Sequence, residues 1–127
     1  PKLVDKFLKI FIKKKYDYYG NVNPRSFPDG FDIEIFNFKT LSRTFKLTKN
    51  KYDLEHVTPF MINSRKFKKG NFSLKDNFSK IRVTLDNEND LKFIRYLAKN
   101  TNSKRYFSWK SILNKIKLIN KKLVKSA

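Results

Sequence analysis

The apolar positions of this chain change period several times, and the changes divide it into elements. Over Leu3–Lys15, Val4, Phe7, Leu8 and Phe11 share one helical face, which Ile10 and Ile12 widen. Lys13, Lys14 and Lys15 fall at the C-terminal end, where cations suit the helix dipole. Tyr16–Tyr19 reads as a short strand closed by Gly20, and Asn21–Gly30, with two of the four prolines, reads as a loop. Phe31–Phe36 alternates: Phe31, Ile33 and Ile35 on one side, Asp32 and Glu34 on the other, which predicts a half-buried strand. A helix is predicted over Thr40–Lys49, and a helical start within Asp53–Ile62 whose extent Pro59 limits. Lys66–Leu74, broken by Lys69-Gly70-Asn71, reads as a hairpin. Ile81–Leu85 predicts a strand ending at Asp86. Asn87 then caps a helix over Glu88–Lys99, with Asp90 three residues on in the manner of a capping box and Leu91, Ile94 and Leu97 as the buried stripe. Ser108 caps a last helix carrying Trp109, Ile112, Leu113 and Ile116, and the stretch 119–127 is expected to fray.

Strands alternate with helices, so the fold class is α/β. Two or three convincing strands are few for a self-sufficient doubly wound sheet, and this points to part of a domain. The chain opens on Pro1 directly before a helix, which reads as the middle of a protein. Its 127 residues correspond to one ordinary domain or a piece of a larger one. At 39% hydrophobic and 16% aromatic it is too apolar for a disordered tail. The absence of Cys excludes a disulfide scaffold and a Cys-ligated zinc site, and the single His56 excludes a multi-His metal cluster. No apolar run is long enough to span a membrane and no signal-peptide pattern is present, so a cytoplasmic location is expected.

Charge changes the picture only in part. The formal net charge is +19, which by itself points to nucleic acid or an anionic surface. Yet Lys outnumbers Arg 24 to 6, and Arg is the better reader of bases and phosphates. Phe, Lys, Asn and Ile, with AT-rich codons, make up 60 of the 127 residues, whereas Ala, Gly and Pro make up 9. Codon bias therefore accounts for much of the basic excess, and no specific nucleic acid and no membrane are expected as partners.

The 11 acids are more telling, because they cluster. Asp29, Asp32, Glu34, Asp53 and Glu55 form one group, and Asp76, Asp86, Glu88 and Asp90 a second, while the stretch from Leu91 onward holds none. Asp32 and Glu34 share a strand face by the period of two; such a pair holds sugar hydroxyls or a metal, or is a solvated edge. Pro28-Asp29-Gly30 is a turn signature. Asp86 follows a predicted strand and precedes a helix, the place where ligands collect in open α/β sheets; it is either a Mg²⁺ carboxylate or a helix cap. Glu55-His56-Val57-Thr58-Pro59 is a polar patch in which His56 is either structural or a hydrogen-bonding group.

Taken together, these segments resemble a known family. Phe27-Pro28-Asp29-Gly30-Phe31-Asp32-Ile33-Glu34-Ile35-Phe36 is similar to the PDGxDxE segment of cytidylyltransferases of the spore-coat polysaccharide biosynthesis type, relatives of the CMP-KDO and acylneuraminate cytidylyltransferases. Glu55-His56-Val57-Thr58-Pro59-Phe60 resembles that family's EHVTP segment, and Ile81–Asp86 with Glu88, Asp90 and Leu91 its segment ending in an Asp. The three occur in the family's order, and Pro1–Asp5 resembles the sequence after its mid-domain strand. Leu54 and Val83 depart from the pattern, where Arg and an aromatic or Leu are common.

The resemblance implies a Rossmann-like, glycosyltransferase-A-like nucleotidyltransferase domain, a mixed sheet with flanking helices, of which this chain is the C-terminal portion. It implies transfer of CMP from CTP to a sugar acid or related precursor of a surface polysaccharide, with Mg²⁺ and release of pyrophosphate. It makes Asp86 the metal carboxylate and places Arg25, Asp29, Gly30, Asp32, Glu34, Glu55, His56 and Thr58 on the sugar side. The family's Gly-containing phosphate loop has no counterpart here, since Gly20, Gly30 and Gly70 are far apart. The nucleotide half is thus expected outside this chain, the chain alone is expected to be inactive, and an apolar face is expected where that half packs. The resemblance leaves room for a homodimer. Two rival readings stand beside it. One is a small basic nucleic-acid-binding protein that stacks bases on Tyr106, Phe107 and Trp109 near Lys104 and Arg105. The other is a sugar-binding module without catalysis.

Overall fold

Tyr18 and Tyr19 are neighbours in the chain, and alternation along strand β1 (Tyr18–Gly20) sends them to opposite faces of one sheet. A computed structural model describes residues 2–99 and 108–125. They fall into two units, one ending at Ile81 and one starting at Arg82. The sheet belongs to the first unit and has the order β2-β1-β3. Strand β2 (Glu34–Phe36) runs antiparallel to β1, with Tyr18 opposite Phe36 and Gly20 opposite Glu34. Strand β3 (Lys69–Asn71) runs parallel to it. The result is a mixed α/β fold with helices on the sheet.

On one face lies helix α1 (Lys2–Lys14). It buries Phe7 completely, with the ring 5.3 Å from both Tyr19 and Phe72. Phe27 closes this aromatic group at 6.1 Å from Phe72. The other apolar residues of α1 are not used in this way: Val4, Leu8 and Ile12 form a stripe that is 44–64% exposed. On the opposite face, the Tyr18 ring packs with Met61 and Phe67, and Phe36, Leu41, Val57, Phe60 and Ile62 close around them. This core draws on α2 (Phe38–Leu47), α3 (Lys51–His56) and α4 (Thr58–Asn63). Asn37 and Asn50 cap α2 and α3, each side chain accepting from a backbone N–H of the first turn.

The second unit holds α5 (Glu88–Lys99) and α6 (Trp109–Lys125). Both helices start where their caps predict. Leu97 of α5 and Leu113 and Ile116 of α6 are its buried apolar residues. Helix α6 continues through the first residues of the stretch expected to fray.

Four local expectations are corrected, each for a visible reason. The strand expected over Phe31–Phe36 begins only at Glu34, because the buried Asn21 amide takes up the backbone before it. Lys69-Gly70-Asn71 is not a hairpin turn but strand β3 itself. Gly70 is there because the Tyr16 ring lies on it; a Cβ would come within 2.6 Å of that ring. The helix before Pro59 does stop short, α3 ending at His56, but the segment after it is helical too: Pro59 lies in the first turn of α4, where its missing N–H costs nothing. Ile81–Leu85 is not a strand: the Ile81 N–H turns back to the Phe78 carbonyl at 2.9 Å, and only Arg82 makes a one-residue bridge.

Gly20 is a second close approach, in the central strand. A Cβ there would meet the Tyr18 hydroxyl at 2.9 Å and the Ile33 carbonyl at 3.0 Å. Gly20→Ala is therefore expected to cost about 1–3 kcal/mol in a urea unfolding titration; an unchanged midpoint contradicts this packing.

Candidate functional site

The loop between β1 and β2, with the first residue of β2, holds Asp29, Asp32 and Glu34 of the first acidic group around two residues that the sequence reading did not single out, Asn21 and Tyr18, whereas Asp53 and Glu55 lie apart from it on α3. Asn21 is fully buried. Its Nδ2 donates to the Phe31 carbonyl at 2.8 Å, and its Oδ1 accepts from the Ile33 N–H at 2.8 Å. Its amide thus stands in for a strand and fixes the segment from 31 to 33. Before it, the Phe31 N–H donates to the Pro28 carbonyl at 3.1 Å, closing a four-residue turn with Gly30 at φ 100. A positive φ at that turn position favours Gly, which gives Pro28-Asp29-Gly30 its local reason.

Arg25 reaches across this loop. Its guanidinium forks onto Asp32, with Nη1 2.5 Å from Oδ1 and Nη2 2.9 Å from Oδ2, and Nη1 also donates to Asp29 at 3.2 Å. Both are partly exposed ion pairs. Arg25 is thus a brace between two carboxylates. Glu34 is held separately. The Tyr18 hydroxyl donates to Glu34 Oε1 at 2.5 Å, diagonally across the β1–β2 ladder. Burial, and then the Glu34 carboxylate, push the Tyr18 phenol above its ordinary range, so it stays a donor. The period-two argument put Asp32 and Glu34 together as a pair on one strand. The structure gives them different anchors, Arg25 for one and Tyr18 for the other. Three carboxylates on one loop suit a ligand that donates hydrogen bonds.

Glu55, His56 and Thr58 lie on the α3–α4 junction. Val57 joins the two helices at φ 65, a strained conformation for a β-branched residue, while its side chain packs against the Tyr18 core. The His56 ring sits 4.3 Å from that of Tyr52.

Asp86 belongs to the second unit, and its setting separates the two readings of it. The cap of α5 is made by other residues. Asn87 Oδ1 accepts from the Asn89 and Asp90 N–H groups at 3.0 Å, and Asp90 Oδ2 accepts from Asp86 N–H at 2.9 Å and Asn87 N–H at 3.2 Å. Asp86 is therefore not the cap. Its exposed carboxylate accepts instead from Arg82, which also contacts Asp90 at 3.3 Å. Among the described residues no three His, Cys, Asp or Glu side chains gather as a metal site. The donor set fits Mg²⁺ only as a single carboxylate that shares the ion with phosphate oxygens, with Arg82 as its competitor. The nucleic-acid candidates Lys104, Arg105, Tyr106 and Phe107 lie outside the described residues.

No family model matches the chain. It is 31% identical over 100 residues to the uncharacterized protein MJ1063 of Methanocaldococcus jannaschii, covering 76% of this chain and 40% of that protein. It is also similar to the solved structure of a cytidylyltransferase from Leptospira borgpetersenii serovar Hardjo-bovis. There the TM-score is 0.85 at 27% identity, over 94% of this chain and 51% of that one. The chain thus spans half the length, or less, of the proteins it matches. The mixed sheet with flanking helices is the fold of a cytidylyltransferase over this stretch. Among the described residues no helix is long and apolar enough to cross a membrane.

Two predictions follow from the anchors. Asn21→Ala is expected to cost about 1–3 kcal/mol, because it orphans buried backbone groups, whereas Arg25→Gln, at a half-exposed ion pair, is expected to cost under about 1 kcal/mol. Urea titrations of the two variants check this, and a reversed order contradicts it. The second concerns pH. The Asp86 backbone N–H, and then Arg82, hold the Asp90 carboxyl below the usual range. A carboxyl whose folded pKa is lowered stabilises the fold above its unfolded value, about 3.9, and loses that contribution as pH falls through the folded value. Asp90→Asn is therefore expected to lower the melting temperature at pH 7 and to match the native chain at the acid end of a circular-dichroism series.

Proposed function

We propose that this chain is part of a cytidylyltransferase that moves CMP from CTP to a sugar acid or related precursor of a surface polysaccharide. The observation that carries this reading is the likeness to a cytidylyltransferase over nearly the whole chain, at a TM-score of 0.85. In this reading a hydroxyl of the sugar attacks the α-phosphorus of CTP, a new P–O bond forms, the bond to pyrophosphate breaks, and the hydroxyl proton leaves. Such transfer depends on positioning and on neutralising phosphate charge.

The loop from Arg25 to Glu34 is the sugar-binding side. Asp29, Asp32 and Glu34 accept hydrogen bonds from sugar hydroxyls, Gly30 lets the chain turn there, and Arg25 keeps two of the carboxylates in place. Glu55, His56 and Thr58 contribute further polar contacts. Asp86 supplies one carboxylate to Mg²⁺, which neutralises charge on the nucleotide phosphates when bound. The phosphate-holding residues come from polypeptide beyond this chain, in keeping with the half-length match and with the exposed stripe Val4, Leu8 and Ile12 on α1.

Expression of the whole open reading frame that encodes this chain tests the reading. With CTP, Mg²⁺ and a panel of octulosonic and nonulosonic acids, its product is expected to release pyrophosphate, and the 127-residue chain alone to release none. Asp86→Asn is expected to slow that release by about a hundredfold, the scale of a lost metal ligand. No CTP-dependent release with any sugar of the panel, or full activity of Asp86→Asn, contradicts it.

A further inference from the structure

Helix α2 packs Leu41 on the Tyr18 core but otherwise turns Thr inward and Phe outward. It buries Thr40 and Thr44, and its C-cap Thr48 is buried too, while Phe38 and Phe45 stand 81% and 71% exposed. Thr40 Oγ1 donates to Asn37 Oδ1 at 3.0 Å and Thr48 Oγ1 to Asp53 at 3.3 Å, whereas Thr44 Oγ1 is buried without a hydrogen-bond partner. Phe38 and Phe45 are seven residues apart, two turns along the same side of the helix, or about 10 Å. Beside them Lys39, Ser42, Arg43 and Lys46 complete the outward arc, and with Phe38 they line a shallow depression of about 300 Å³. Sequence around the helix sharpens the contrast. Between residues 35 and 52 there are five cations, Lys39, Arg43, Lys46, Lys49 and Lys51, and no acid. Arg43 leans over the Phe67 ring at 5.4 Å, so this cation is tied to the core that carries the helix. Tyr52, at the start of α3, adds a further exposed aromatic.

We infer that the outward face of α2 is a docking surface for an anionic lipid bilayer, on which the chain lies without crossing it. Three of the five cations, Lys39, Arg43 and Lys46, lie on α2 and two, Lys49 and Lys51, follow its C-cap; a cluster of this size attracts anionic headgroups, and Phe is a side chain that enters the headgroup boundary. Charge selects this occupant. A second copy of the chain brings the same cations and repels them, and a neutral apolar partner leaves them unmatched. Single-stranded nucleic acid shares the charge; the bilayer is favoured because its boundary takes both outward Phe rings at once with no requirement on their spacing. The inference runs against the expectation of no membrane partner. That expectation rested on the lack of a spanning segment and on codon bias, and neither says on which side of a helix a Phe sits. It does not depend on the proposed transferase activity.

Cosedimentation of this chain with vesicles tests it. Vesicles of phosphatidylcholine containing phosphatidylglycerol are expected to bind at least about tenfold more than pure phosphatidylcholine. Phe38→Ser with Phe45→Ser is expected to reduce that binding about tenfold with unchanged circular dichroism, since both side chains are exposed in the fold. Val4→Ser with Leu8→Ser, on the apolar stripe of α1, is expected to leave it intact. As a second readout, Phe45→Trp in a Trp109→Phe background is expected to shift its emission to the blue on anionic vesicles. The inference is overturned by equal binding to both vesicle types. It is also overturned by anionic binding that the Phe pair does not affect, or by a Phe pair that matters for oligo-deoxythymidine and not for vesicles.

Discussion

The hydroxyl of Tyr18 is the contact on which the rest of this structure turns. Its ring belongs to the core formed with Met61 and Phe67, and its oxygen holds Glu34 at 2.5 Å. A buried phenol cannot be left without a partner at low cost, and a carboxylate at a strand start is mobile without one. Each group answers the other's need. The bond ties the packed face of the sheet to the carboxylate-bearing loop, so that loop geometry is inherited from core packing. Asn21 does the same for the backbone one turn away, by replacing a strand with an amide.

How far this could be read from the sequence depends on how local each cause is. The caps are local, and Asn87, Asp90 and Ser108 mark the starts of α5 and α6 as expected. So is the Pro28–Phe31 turn. The α/β class is legible from period, but clustering along the chain groups five acids of which only Asp29, Asp32 and Glu34 lie between β1 and the start of β2, Asp53 and Glu55 lying on α3. What escaped is what depends on a neighbour distant in the chain. Gly70 was taken as a turn residue because the ring that needs its bare backbone, Tyr16, lies more than fifty residues earlier. Tyr18 and Asn21 carried no signal, because one reads as an ordinary strand aromatic and the other as a loop polar residue. The Asp32–Glu34 pairing followed correctly from alternation but applied it to a segment that Asn21 had removed from the ladder.

The same distinction applies to charge. The expectation of codon bias concerns how abundant Lys is, not where Lys and Phe are placed. On α2 placement departs from the ordinary rule, with Thr inside and Phe outside. On α1 a full apolar stripe is in solvent beside a helix face that does bury Phe7. A fold that leaves both in water shows surfaces that its own packing does not use.

The central claim is that core and carboxylate loop are coupled through one hydrogen bond, and a double-mutant cycle of Tyr18→Phe and Glu34→Gln measures that coupling directly. Unfolding free energies of the native chain, the two single variants and the double variant give the interaction energy. The account predicts a coupling of about 1.5–3 kcal/mol, the scale of a hydrogen bond to a charged group. Additive effects, with a coupling under about 0.5 kcal/mol, contradict it.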